Sequence, residues 1–285
     1  MQVDVTTRLG ALAPATPTGF PSLDRMLTGG LRAGTLLTIT GEPGVGKTAF
    51  ALLLAYMAAR SRAATVFASA VLDETEVVAR LAARAMYREY PDSETPYGAI
   101  WSGQAWQDDF TRAAVGTSVN VAVRKVGQLL HLMRLRPFET TQDLSTATSI
   151  LWERHERVVV VVDGMEALSG AVGGEAMRAA SANASYENRI AQVAYELRLL
   201  AEGGCAVVVT AEQDTARFIL PAATLAVELR SSIRSESALS AREQALGTRP
   251  LDAVVLKSRL GPSGVIPLRF IAGASLLEEV KEPAL

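Results

Sequence analysis

Short apolar segments alternate with longer segments of helical periodicity along most of this chain. Seven of the apolar segments are predicted as strands, at 35–40, 64–69, 158–162, 205–210, 223–229, 252–258 and 265–270. Helical spacing predicts helices at 48–60, 74–89, 142–155 and 186–202. This alternation is typical of an α/β fold in which helices flank a mostly parallel central sheet.

The third predicted strand indicates where the centre of that sheet lies. Val158 to Val162 are five consecutive valines, a pattern that favours a strand buried on both faces. Segment 91–140 has a weaker pattern, which predicts one helix near 121–130 and a short strand near 132–136. Polar loops are predicted at 169–183 and 231–250.

The domain organisation follows from the same pattern. Residues 1–17 contain Pro14 and Pro17 among small and polar residues, and they are predicted to form a flexible arm too short to be a domain. A single domain is expected over residues 18–285, with antiparallel strands at its C-terminal end.

The turn between the first predicted strand and the first predicted helix carries the clearest chemistry. Its sequence is Gly41-Glu42-Pro43-Gly44-Val45-Gly46-Lys47-Thr48, followed by Ala49. Glycines allow backbone N–H groups to turn towards phosphate oxygens, and the helix adds its unpaired N–H groups. Lys47 is placed to reach the β- and γ-phosphates, and the Thr48 hydroxyl to bind Mg²⁺. The segment is therefore predicted to be a phosphate-binding loop for ATP and Mg²⁺.

Composition restricts the alternatives without adding a function. The formal net charge is −2 and the pI is near 5.9, so no overall attraction to nucleic acid or to an anionic membrane is expected. No apolar stretch approaches the ~20 residues that span a bilayer. The first fifteen residues lack the pattern of a secretion signal. We expect a cytoplasmic protein with no membrane partner.

Asp163 is the second candidate for the metal site. It follows the valine strand, which we expect next to the strand that enters the phosphate-binding loop. A carboxylate at the carboxyl end of such a strand is placed to hold the Mg²⁺ shell. The alternative is a turn or helix-capping aspartate, since Gly164 follows.

Several further segments resemble the RecA-like ATPase domain of bacterial replicative helicases of the DnaB type. They are, in chain order, Thr18-Gly19-Phe20, Leu23-Asp24, Gly29-Gly30-Leu31, Gly46 to Leu52, Glu187-Asn188-Arg189, Leu197 to Ala201, Gln213, Lys257-Ser258-Arg259 and Gly261 to Gly264. The set covers residues 18 to about 275 in the family's order, which makes it far more specific than the phosphate-binding loop alone.

The resemblance implies roles for three residues beyond that loop. Gln213 corresponds to the glutamine that senses the γ-phosphate. Lys257 and Arg259 correspond to cations that reach the phosphates bound by a neighbouring subunit, which implies a homo-oligomeric ring or filament. Being two residues apart on a strand, they leave it on the same face. The alternative is a solvated strand end in which they pair with Asp252 or Glu228.

One position departs from the family pattern. The family carries a glutamate after the second strand to orient the attacking water, and alignment by Thr65 to Ser69 and by Arg80 places Val71 there. Valine can neither accept a proton nor hold a water molecule. Asp73 or Glu74 is a substitute, with a role in the first turn of the following helix as the alternative. Glu166 is a weaker substitute.

Two functions remain open. The first is an ATPase of the replicative-helicase type that acts on single-stranded DNA through loops 169–185 and 214–238. In the second of these loops, Arg217, Arg230 and Arg234 are the candidate phosphate contacts, although nearby glutamates make a neutral loop an alternative. The second function is an ATP-dependent switch with weak turnover and a protein partner, which Val71 and the acidic balance favour.

Overall fold

The structure, a computed structural model, describes residues 14–136, 139–170, 185–233 and 239–280. Within these ranges the strands form one nine-stranded sheet in the order β3-β2-β4-β5-β1-β6-β7-β8-β9. The strands are β1 Leu36–Gly41, β2 Ala64–Ser69, β3 Leu130–Arg134, β4 Val158–Asp163, β5 Ala206–Thr210, β6 Leu225–Ser231, β7 Thr248–Ser258, β8 Val265–Ile271 and β9 Leu276–Glu279. Strands β1 to β6 run parallel and β7 to β9 antiparallel, which confirms the predicted fold class.

Helices cover both faces of the sheet. In the described residues they are α1 Pro21–Met26, α2 Lys47–Arg60, α3 Glu74–Glu89, α4 Tyr97–Trp101, α5 Asp109–Val126, α6 Thr141–Trp152, α7 Tyr186–Glu202, α8 Ala216–Ile219 and α9 Ala241–Ala245. We call the side where the parallel strands end the carboxyl edge, and the side where they begin the amino edge.

The valine strand β4 separates two hydrophobic cores. Val159 and Val161 lie in the core that contains α2, whereas Val158, Val160 and Val162 lie in the core that contains α7. Because side chains alternate along a strand, five valines supply both cores at once. The prediction of a central strand buried on both faces is confirmed.

Helix α2 is buried on nearly every side, and ten of its fourteen residues are buried. This packing explains why its sequence is apolar all round rather than on a single stripe. It also fixes the position of the first two helical residues, Lys47 and Thr48, at the carboxyl edge of the sheet.

The weakest sequence pattern gave the least accurate boundaries. The helix predicted near 121–130 is wrong in extent, because α5 begins at Asp109 and its C-cap residue Gly127 adopts a positive φ of 56°. This helix packs on α3 in a small separate cluster and leaves much of its surface exposed, so its apolar periodicity is faint. Strand β3 lies two residues earlier than predicted.

The predicted loop 231–250 is wrong in part. Ser240 begins a capping box for the short helix α9, and β7 already begins at Thr248. Segments this short have too few residues to show a helical or strand period.

The described end of the predicted N-terminal arm is packed against the domain. Thr16 forms a backbone bridge with Leu31 and is buried. Gly30 permits this approach, since a Cβ there would lie 2.4 Å from the Thr16 carbonyl oxygen. Residues 1–13 lie outside the described ranges, and within those ranges none of the helices combines the length and the apolar character needed to cross a bilayer.

Candidate functional site

The phosphate-binding loop leaves β1 at the carboxyl edge of the sheet and ends where α2 begins. Gly41 has a φ of 151°, and a Cβ at this position would lie 2.6 Å from the Leu229 carbonyl oxygen. Gly46 has a φ of 121°, and a Cβ at this position would lie 3.2 Å from the Phe270 ring. Only glycine satisfies both the positive φ and the close approach at these two positions.

Lys47 is held at the mouth of this loop by three acceptors. Its Nζ donates to the carbonyl oxygens of Gly41 at 2.8 Å and Glu42 at 3.1 Å. It also forms an ion pair with Glu212 Oε2 at 3.1 Å, although the Glu212 side chain is about half exposed. The carboxylate of Glu212 therefore takes the place next to Lys47 that an anion would occupy.

Thr48 and Asp163 are brought together as the sequence predicted. The Thr48 hydroxyl donates to Asp163 Oδ1 at 3.0 Å. Asp163 is 1 % exposed and accepts two further hydroxyl groups, from Thr210 at 2.9 Å and Ser69 at 2.9 Å. The carboxyl ends of β2, β4 and β5 and the start of α2 thus meet at the carboxylate of Asp163.

The expected adjacency of the valine strand and the loop strand is wrong. Strand β5 lies between β1 and β4, so Asp163 reaches Thr48 across the end of β5. Thr210, the last residue of β5, fills that gap: its hydroxyl donates to Asp163 and accepts from the Gly164 N–H at 2.8 Å.

Burial acts on two carboxyl groups at this edge. It raises the pKa of Asp163, and the three hydroxyl donors oppose that effect. Burial also raises the pKa of Glu166, whose Oε1 accepts from the Glu212 N–H at 2.7 Å and from the Thr215 hydroxyl at 3.2 Å. Glu166 therefore anchors the turn that presents Glu212 to Lys47.

The position where a catalytic glutamate was expected lies beside Asp163 and is apolar. Val71 is 60 % exposed, and its N–H donates to the Ser69 hydroxyl that also binds Asp163. A Cβ on Gly164 would lie 4.0 Å from Val71 Cγ2, which places the valine against the residue that follows the metal candidate.

Two of the three acidic residues proposed as substitutes for that glutamate, Asp73 and Glu74, lie at the start of α3. Asp73 is the N-cap residue, and its Oδ1 accepts from the Glu76 N–H at 2.7 Å. Glu74 is exposed in the first turn, where a negative charge favours the helix dipole. Both side chains therefore have a helix-terminal role in this structure.

Gln213 follows Glu212 after β5, and its side chain reaches β6 across the end of β1. Its Nε2 donates to Glu228 Oε1 at 2.8 Å. Both carboxylate oxygens of Glu228 also accept from Arg230, each at 2.8 Å. The hydrogen bonds from Arg230 are the main reason that the pKa of Glu228 lies below its ordinary value.

Lys257 and Arg259 lie on the same face, as predicted, but at the amino edge of the sheet. Lys257 Nζ donates to the Leu220 carbonyl oxygen at 2.5 Å, and both side chains approach the Pro221 carbonyl oxygen, at 3.1 and 3.4 Å. The alternative pairing of these cations with Glu228 is wrong, because that carboxylate is held by Arg230. Burial is the main reason that the pKa of Lys257 is lowered.

The two expected DNA loops are described only in part. Residues 171–184 of the first lie outside the described ranges, as does Arg234 of the second. The second is not one loop, because it contains α8 and β6. Arg217 pairs with Glu187 at 2.9 Å and Arg230 with Glu228, so the described arginines of this segment are neutralised.

Sequence reasoning missed two residues that contact the phosphate-binding loop. Glu212 carried no signal apart from its place before Gln213. Arg249, inside a predicted loop, donates to the Gly44 carbonyl oxygen at 2.6 Å and stacks on Phe270 at 5.1 Å. A contact across 205 residues leaves no trace in local spacing. The hydrogen bonds of the Ser69 and Thr210 hydroxyls to Asp163 were not predictable from the sequence either, although both residues lie at the ends of predicted strands.

A glycine-rich loop between β1 and α2, with a buried aspartate at the end of β4, defines a P-loop ATPase domain of the RecA type. Comparison with known proteins narrows the class. The family described as "DnaB-like helicase C terminal domain" matches residues 15–216. The chain belongs to this family of replicative-helicase-type ATPase domains, which confirms the resemblance drawn from the motifs.

Solved structures show the same fold at low sequence identity. A structure described as that of a DnaB-like replicative helicase and its interactions with primase has a TM-score of 0.75 and 19 % identity, covering 99 % of this chain and 67 % of that one. A second structure, described as an ATPase domain, has a TM-score of 0.74 and 18 % identity, covering 98 % of this chain and 97 % of the other.

Proposed function

We propose that this chain binds ATP with Mg²⁺ at the carboxyl edge and couples the binding and hydrolysis of ATP to the action of an oligomer on single-stranded DNA. The observation that carries the proposal is the contact of Thr48 with the buried Asp163, next to Lys47 in a glycine-lined loop. Residues 41–49 would hold the phosphates through backbone N–H groups, and Lys47 would neutralise the β- and γ-phosphates.

The residues present fit Mg²⁺. The ion prefers oxygen ligands and keeps several water molecules, so it needs few protein groups. The Thr48 hydroxyl and the Asp163 carboxylate supply hard oxygen donors, and the Ser69 and Thr210 hydroxyls hold that carboxylate in place. When bound, the ion would neutralise charge that develops on the phosphates.

ATP must compete with Glu212 for Lys47. The ion pair at 3.1 Å satisfies the lysine in the free protein, and a phosphate that binds Lys47 displaces this carboxylate. Because Glu212 is connected through its N–H to Glu166 and is followed by Gln213, the displacement would alter the turn that carries the proposed γ-phosphate sensor.

Lys257 and Arg259 support an oligomer. Ser258 pairs with Leu225 at the start of β6, whereas Gly41 pairs with Leu229. Four residues along a strand are about 13 Å, in addition to the lateral step between strands. These cations therefore lie too far from the phosphate-binding loop of their own chain, and we propose that they reach the nucleotide of a neighbouring subunit.

Val71 favours a second candidate function, an ATP-dependent switch that controls assembly with a protein partner. An exposed valine beside Asp163 leaves no general base at the position where the family carries glutamate. Slow hydrolysis would then prolong the ATP-bound state, which suits a switch better than rapid movement along DNA.

One experiment separates the two. Turnover is measured with and without single-stranded oligonucleotides, and the oligomeric state with Mg²⁺ and ATP is followed by light scattering. Stimulation by DNA together with ATP-dependent assembly supports the helicase-type function. Slow hydrolysis that is indifferent to DNA supports the switch. Failure to bind ATP, on protein shown to be folded, would contradict both.

A further inference from the structure

A basic cavity lies at the amino edge of the sheet, away from the nucleotide site. Its volume is about 960 Å³. Five cations line it, and the carboxyl ends of helices together with the start of β3 form its walls. The lining cations are Arg60, Arg62, Arg124, Lys125 and Arg154, with His131 and His155 beside them. Among the residues that the structure describes, no aspartate or glutamate lines this cavity.

The charge of this cavity is largely uncompensated. Lys125 pairs with Glu89 at 3.5 Å. Within the part of the chain that the structure describes, Arg62, Arg124 and Arg154 have no carboxylate within ion-pair distance, and all three are exposed. The neighbours of Arg154 in sequence, Glu153 and Glu156, do not line the cavity. The chain as a whole is slightly acidic, which makes this concentration of positive charge local.

Helix dipoles explain only part of this arrangement. Helices α2, α5 and α6 end here, and cations favour helix carboxyl ends. Each end carries roughly −0.5 of an elementary charge. Three ends therefore supply about −1.5 against the four lining cations other than Lys125, which pairs with Glu89. A substantial positive charge remains even if every dipole is fully compensated.

The lining indicates which anion fits. Its apolar members are aliphatic, such as Leu129 and Leu151. In the described ranges, no phenylalanine, tyrosine or tryptophan lines the cavity and offers a ring on which a base could stack. Guanidinium groups bind phosphate oxygens with good geometry. Several cations spread over a large open cavity suit consecutive phosphates better than a single small anion.

We propose that this cavity binds the phosphodiester backbone of a nucleic-acid strand without regard to base sequence. The site is separate from the two loops expected to contact DNA, and it does not depend on bound nucleotide. It gives an acidic protein a local means of holding nucleic acid on the face opposite the ATP site.

The test is fluorescence anisotropy of a labelled oligothymidylate with the full chain, without ATP, between about 50 and 200 mM salt, where phosphate contacts make binding steeply salt-dependent. The test variant is the double substitution Arg124→Glu and Arg154→Glu. The matched control, Arg25→Glu and Arg112→Glu, makes the same change in net charge at exposed arginines outside the cavity. Thermal unfolding verifies that both variants fold.

We expect the test variant to bind at least tenfold more weakly, and the salt slope to fall by about 1.4, since each lost contact with a single strand removes about 0.7. The control should stay within about threefold of the wild type. Inorganic tripolyphosphate should displace the oligonucleotide from the wild type, and polyglutamate should not.

Three results would overturn the proposal: no binding by the wild type at the lowest salt concentration, equal losses in the test and control variants, or equal competition by polyglutamate, which would indicate an acidic protein instead. Each can be distinguished from failure of the proposed ATPase function, because no nucleotide is present in the assay.

Discussion

The phosphate-binding part of the candidate site and its hydrolytic part differ sharply in construction. In the first, Thr48 and Asp163 are tied to hydroxyls from two further strands, and Lys47 has three acceptors. In the second, Val71 lies exposed at the expected position of the base, and Arg259 lies at the opposite edge of the sheet. Under the proposed function, this difference means that one chain supplies the groups that bind ATP, while a neighbouring chain supplies a cation needed for hydrolysis.

The largest effect is expected from Arg259→Ala. A cation that reaches the phosphates from a neighbouring subunit is worth about 10³-fold or more in turnover, whereas ATP affinity does not depend on it. We expect turnover of the assembled protein to fall at least 100-fold with the dissociation constant of ATP unchanged. Arg189→Ala, on the surface of α7, is the control. Unchanged turnover would contradict the proposal that Arg259 acts on the nucleotide of a neighbouring subunit.

Lys47→Ala should disable the phosphate-binding part. Loss of a charge-assisted contact to phosphate costs about 1.5–3 kcal/mol, which corresponds to roughly 10- to 100-fold in affinity. Isothermal titration calorimetry with Mg²⁺ and ATP measures the affinity. Lys125→Ala, at the amino edge of the sheet, is the matched lysine control. An affinity within twofold of the wild type would contradict the proposed role of Lys47.

Val71→Glu should improve the hydrolytic part. A well-placed general base accelerates a reaction by about 10²- to 10⁴-fold. Because the rest of this turn is not adapted to a glutamate, we expect the single substitution to raise turnover by only about tenfold. Steady-state phosphate release measures the gain, and Val71→Gln, which cannot accept the proton, is the control. If both variants behave alike, the valine is not what limits hydrolysis.

Glu212→Gln should have a modest effect on binding. Removing a carboxylate that competes for Lys47 should tighten ATP binding by roughly two- to fivefold, since a half-exposed ion pair is worth up to about 1 kcal/mol. The sign is informative: weaker binding would mean that Glu212 assists the nucleotide rather than competes with it.

The smallest effect is expected from Glu74→Gln. Its carboxylate is exposed in the first turn of α3, where it contributes about 0.3–1 kcal/mol to stability through the helix dipole. Turnover should stay within about twofold while the melting temperature falls slightly. A loss of tenfold or more would instead identify Glu74 as the substitute for the missing glutamate.

Local pattern determined how much of this could be predicted from the sequence. Helices α3 and α7 were predicted with the observed bounds, because their apolar positions repeat at helical spacing. The valine strand and the Gly41–Thr48 turn are each visible in consecutive residues. The order of strands in the sheet is not visible in consecutive residues. Nothing in the valine run indicates that β5 separates β4 from β1.

The contacts of the candidate site were predictable only where a motif fixes them. Thr48 and Asp163 belong to recognisable patterns, so their meeting was expected. Glu212 on Lys47 and Arg249 on Gly44 join residues far apart in the chain. Such contacts depend on where the packed sheet places the turns after β5 and before β7.

The support of the phosphate-binding loop by β7 and β8 has a practical consequence for protein engineering. Phe270 lies against Gly46 and Arg249 donates to the Gly44 carbonyl oxygen, yet both residues lie beyond residues 15–216, the segment that the family matches. A chimaera that kept residues 15–216 but exchanged the last quarter of the chain would lose the residues that support its phosphate-binding loop. Experiments that graft the phosphate-binding loop should therefore transfer it together with β7 and β8.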